Sequence, residues 1–71
     1  MVTINEVIKL LKSYDYEDIE IGIYYSYENN NCKIEVSYIF DEDEYKEEFS
    51  GRSIKHVLNK IYYFYNKIYK Q

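Results

Sequence analysis

The sequence predicts an α+β domain of order α-β-β-β-α, a three-stranded antiparallel sheet with both helices packed on one face. Three observations predict it. Apolar residues recur at helical spacing near the start, at strand spacing through the middle, and at helical spacing again toward the end. At 71 residues the chain has length for a single domain spanning 1–71 and one modest core. Its apolar share of 46%, with 11 Tyr and 3 Phe, argues against disorder, because disordered chains are poor in aromatics.

The first helix has a legible start. Thr3-Ile4-Asn5-Glu6 is a capping box, in which the Thr3 hydroxyl accepts from the Glu6 amide and the Glu6 carboxylate reaches back. Ile4, Val7, Ile8, Leu11 and Tyr14 then form one apolar face, and the pattern stops around Ser13 to Asp15. Alternation takes over with Ile19, Ile21, Ile23, Tyr25 and Tyr27 on one side of a strand. Glu28-Asn29-Asn30-Asn31 supplies turn chemistry, since Asn tolerates a left-handed backbone. A second strand puts Cys32, Ile34, Val36, Tyr38 and Phe40 inward.

Asp41-Glu42-Asp43-Glu44 reads as the second turn, and a weaker strand follows from about Tyr45 to Phe49. Glu47 shares the inward parity of Tyr45 and Phe49, which marks this as an edge strand. Ser50-Gly51 breaks the pattern. From about Ser53 a long helix runs to Lys70, with Ile54, Val57, Leu58, Ile61, Phe64, Tyr65 and Ile68 as its stripe. Arg52, His56, Lys60, Tyr63, Lys67 and Lys70 lie on its far side. The open face of the sheet carries Glu20, Glu35 and Glu48.

Charge is segregated along the chain. The net charge is −4. Residues 15–48 hold twelve acids against Lys33 and Lys46, whereas residues 49–71 hold five bases and no acid. Such segregation gives a small domain a strong local field, which suits a cationic partner. It also leaves a plainer reading, a solvated surface.

Catalysis and cofactors find little support. His56 is the lone histidine and falls on the polar side of its helix, away from any carboxylate that could position it as a base. Cys32 is the lone cysteine, so no internal disulfide or Cys-based zinc site is expected, and its inward parity makes it a small buried hydrophobe. Asp41, Asp43 and Tyr45 imitate the opening of a calcium loop, but Lys46 replaces the required glycine and Arg52 the closing glutamate. No metal, cofactor or catalytic residue is therefore expected. The longest apolar run, Ile61 to Tyr65, is far short of the ~20 residues of a spanning helix. The start of the chain lacks the basic and apolar regions of a signal peptide, so a soluble cytoplasmic protein with no membrane partner is expected. Direct nucleic-acid binding is not expected either. Double-stranded RNA-binding domains share this element order, but the turns that would approach a duplex are acidic or neutral and would not attract phosphates.

Residues 4–16, Ile-Asn-Glu-Val-Ile-Lys-Leu-Leu-Lys-Ser-Tyr-Asp-Tyr, resemble the opening of the small phage anti-CRISPR proteins that block Cas9 in type II-A systems. Asp41-Glu42-Asp43-Glu44-Tyr45 resembles the acidic turn of the same proteins, and the matching spacing extends the resemblance over roughly residues 3–60. The resemblance implies a non-enzymatic DNA mimic, acting in the bacterial host cytoplasm, that occupies the arginines with which guide-RNA-loaded Cas9 reads the PAM. Carboxylates suit those guanidinium forks because both are planar and charge-assisted. It implies Asp15 and Tyr16 as one contact pair, and Asp41, Asp43 and Glu44, with Glu42 and Tyr45 beside them, as the other. Two departures stand out. Glu42 replaces the family's glycine, and the chain closes on a basic helix where the family carries further acids. An acidic interaction module docking through its tyrosine-rich sheet face is the alternative reading, and a double-stranded RNA binder a third.

Overall fold

The computed structural model describes residues 2–68. Five elements follow in order: α1 (Ile4–Lys12), β1 (Glu17–Ser26), β2 (Asn31–Phe40), β3 (Asp43–Gly51) and α2 (Ile54–Ile68). The strands form one antiparallel sheet of order β1-β2-β3, and helices pack on it to give the α+β architecture. The expected end of the last helix, residues 69–71 with Lys70, lies outside the described residues, as does Met1.

The expected capping box is present. Thr3 Oγ1 accepts from the Glu6 amide at 3.2 Å, and Glu6 Oε1 accepts from the Thr3 amide at 3.3 Å. The core forms between the helices and one sheet face: Val7 and Leu11 of α1, Val57, Leu58, Ile61 and Tyr65 of α2, and Cys32, Ile34, Val36 and Tyr38 of β2. Alternate residues of β2 from Cys32 to Tyr38 are buried, as alternation demands of a central strand under helices, whereas Phe40, expected inward with them, is exposed at the strand's end.

Three expectations are corrected. Asp43 and Glu44 belong to β3, and the turn is Asp41 and Glu42 alone, because Phe40 already pairs with Asp43. Ile54 is exposed rather than part of the buried stripe, since it opens α2 before the helix reaches the sheet. The apolar parity of β1 is met only in part. Ile19 and Ile21 pack against the core, but Ile23, Tyr25 and Tyr27 stand exposed. Glu47, the inward acid of β3, is half-buried and accepts a hydrogen bond from the Tyr38 hydroxyl at 2.8 Å. Its parity is therefore accounted for.

Gly51 closes the β3 to α2 connection by its smallness. A Cβ there would come within 3.1 Å of the buried Val57 side chain and 2.7 Å of the His56 ring.

Candidate partner-binding surface

The exit of α1 sets the first part of the site. Ser13, Tyr14 and Asp15 donate backbone hydrogen bonds to carbonyls of the last helical turns, the Asp15 amide to Lys12 at 3.0 Å. Asp15 then takes a left-handed backbone (φ 64°), a conformation Asp tolerates better than most side chains. The reversal sends Asp15 to solvent and Tyr16 into the core. The C-terminal end of a helix carries partial negative charge, which Lys9 and Lys12 in the last turn of α1 offset.

Tyr16 is 6% exposed. Its ring stacks on Tyr38 with centroids 4.0 Å apart, and Tyr38 in turn stacks on Tyr45 at 5.5 Å. These three rings bridge the sheet from β1 to β3 and pin its end. The expectation of Asp15 and Tyr16 as two surface contacts is therefore altered: Asp15 is presented and Tyr16 is the anchor that fixes it. Tyr45 lies at the outer end of the ring row and is partly exposed. Tyr14 donates through its hydroxyl to the Tyr65 carbonyl at 3.1 Å, which ties the exit of α1 to the last turns of α2.

A β-bulge follows. Glu17 pairs with Ile39 and Glu20 with Ser37, so Asp18 and Ile19 together oppose Tyr38, with Asp18 at φ 48°. One extra residue switches the parity of the strand. Tyr16 and Ile19 can then both face the helices, while Glu17 shares the open face with Ile39.

The β2 to β3 turn brings the second acidic group to the same end. Asp41 and Glu42 have φ of 53° and 70° between the paired residues Phe40 and Asp43. Two residues of positive φ linking antiparallel strands are the arrangement that best matches sheet twist, and Gly is usual at the second. Glu42 thus adopts the backbone glycine prefers. Because Glu17 and Glu44 both oppose Ile39, they sit two strand spacings apart, about 10 Å.

Four acids, Asp15, Glu17, Asp18 and Glu20, therefore meet four more, Asp41, Glu42, Asp43 and Glu44, at one end of the sheet, and all eight are exposed. Glu17, Asp18 and Glu20 were not anticipated as site residues. The signal lay in the hairpin register: counting back from the Ser26 and Asn31 pair places residues 17–20 opposite 37–40, beside the acidic turn. Glu35 on the open face behaves differently. Its carboxylate lies 3.4 Å from Lys46 and 3.6 Å from Lys33. Partial withdrawal from water raises its pKa, but the two lysines prevail and hold it below the usual carboxylate range.

The acidic end continues onto a half-open cavity of about 680 Å³ on the helix-free sheet face, where Asp18, Glu20, Glu44 and Tyr24 line the wall. Among the described residues no group of three acids, histidines or cysteines is placed to hold a metal ion. Among them, too, no helix is long and apolar enough to cross a membrane. His56 is exposed and Cys32 buried. Comparison with protein-family models, curated proteins and solved structures yields no match.

Proposed function

We propose that this protein is a DNA-mimicking inhibitor that binds guide-RNA-loaded Cas9 through its acidic end and so blocks target DNA binding. The observation that carries this reading is the convergence of eight exposed acids, drawn from two separate stretches of chain, at one end of the sheet. A solvating surface has no need of convergence. A surface built to occupy several arginines of one cleft does, since each guanidinium fork takes its own carboxylate. The resemblance of residues 4–16 and 41–45 to the Cas9-blocking anti-CRISPR proteins favours Cas9 as that partner.

The test is a DNA cleavage assay with guide-loaded Cas9 enzymes from several type II-A systems, with protein added before target. Loss of cleavage at near-stoichiometric protein is expected for at least one enzyme, together with loss of target binding. Full cleavage across the panel overturns the reading. Protein added after the target DNA is bound should inhibit far less, because the arginines are then already occupied.

A further inference from the structure

The two edges of the sheet are guarded unequally. Edge strands expose unpaired backbone groups and are usually protected by charges, Pro or bulges. β3 carries Glu44, Lys46, Glu47 and Glu48 along its length. The first half of β1 has Glu17, Asp18, Glu20 and the bulge. From Ile21 to Ser26, however, β1 has no charge, no Pro and no irregularity, and Ile23, Tyr24 and Tyr25 are 39%, 53% and 51% exposed.

We propose that two copies of this chain pair along this edge, antiparallel about Gly22, to form a twofold dimer with a continuous six-stranded sheet. The register follows from the residues. About Gly22, Ile21 of each copy meets Ile23 of the other on the helix side, an apolar pair twice over. On the open face Glu20 meets Tyr24. Lys33 holds its ammonium over the Tyr24 ring, 5.4 Å from the centroid, which steadies the ring that the incoming Glu20 meets. Tyr24 also folds back over Gly22, its hydroxyl only 3.0 Å from where a Cβ would sit. Two such rings roof the pair of glycines at the axis, a known remedy for glycine in a strand. An antiparallel union keeps like charges apart, because each acidic half-strand faces the neutral half of its partner. The surface is self-complementary, so the assembly closes at two copies. Asp15, Asp41, Glu42, Asp43 and Glu44 of each copy stay outside the junction, at opposite poles.

Sedimentation velocity on the full chain from micromolar to millimolar concentration tests this. The mass is expected to rise from 8.8 kDa toward twice that value. Ile23→Lys and Tyr25→Lys, each placing a charge at the junction, should hold the protein at the mass of one chain with an unchanged far-ultraviolet spectrum. Tyr25→Lys sits at the more exposed position and serves if Ile23→Lys fails to fold. Glu48→Gln on the opposite edge should dimerise like the parent. Amide exchange in residues 20–26 should slow with concentration, and exchange in β3 should not. A mass of one chain up to millimolar concentration, dimers in both lysine variants, or protection appearing in β3 would each overturn the proposal.

Discussion

Glu42 shows how a single residue can sit against local preference. A side chain in the left-handed region costs roughly 1–2 kcal/mol, a penalty glycine escapes, and Glu42 has φ 70°. Glu42→Gly should therefore raise stability by about 0.5–1 kcal/mol, after allowing for the greater freedom glycine has in the unfolded chain. Thermal unfolding followed by circular dichroism measures this, and a lower midpoint would mean that the turn is not of this type. Tyr38 offers a second test. Burial raises the pKa of its hydroxyl, and the bond to Glu47 raises it further; burial does the same to Tyr65, with the Glu47 charge adding to it. The unfolded chain loses these protons near pH 10, whereas the folded chain keeps them. Stability from this source is thus fully present below pH 10 and declines as pH rises above it. Tyr38→Phe should flatten that alkaline decline, to be read from unfolding midpoints between pH 8 and pH 11. An equally steep decline in Tyr38→Phe would exclude Tyr38 as a source.

At the scale of elements, the helices show what periodicity conveys. The stripe Val57, Leu58, Ile61 and Tyr65 is buried as expected, and Leu58→Ala should cost about 2–5 kcal/mol, a large part of the stability of a domain this small. Denaturant unfolding would show it as a midpoint shift with little change of slope; a neutral result would remove Leu58 from the core. The start of α1 was legible because a capping box specifies partners three residues apart. The reach of the helices over the sheet was not. Parity tells which way Ile23 and Tyr25 point, but coverage depends on tertiary length. The nine residues of α1 extend about 14 Å, while the ten of β1 run about 33 Å. Part of β1 must stay bare. The bulge at Asp18 escaped notice for a related reason. It is visible only when inward Tyr16 is set against inward Ile19, an odd spacing that no regular strand permits.

At the scale of the molecule, the two acidic stretches were legible as charge but not as one surface, because only the β1 to β2 register joins them. That surface carries the last prediction. Asp41→Asn, Asp43→Asn and Glu44→Gln together remove three charges from exposed positions with no change of shape. If these acids only solvate the fold, inhibition stays as it was. If they pair with arginines desolvated in the complex, each lost charge leaves one arginine buried and unpaired at about 2–5 kcal/mol. Even the low end of that range for one contact weakens binding about 30-fold, so the triple variant should lose inhibition altogether. Its thermal midpoint should hold or rise slightly, since like charges at one end repel. Glu17→Gln with Glu20→Gln should weaken inhibition as well, a consequence of the convergence that the two separate motifs do not contain. Lys55→Ala with Lys67→Ala is the control; Lys60 is unsuitable because its ammonium is bonded to the Ser50 carbonyl at 2.7 Å. Binding of the parent, measured by titration at rising ionic strength, should weaken as salt screens the encounter. Inhibition that survives the triple change and falls with the lysine pair would transfer the binding surface from the acidic end to α2.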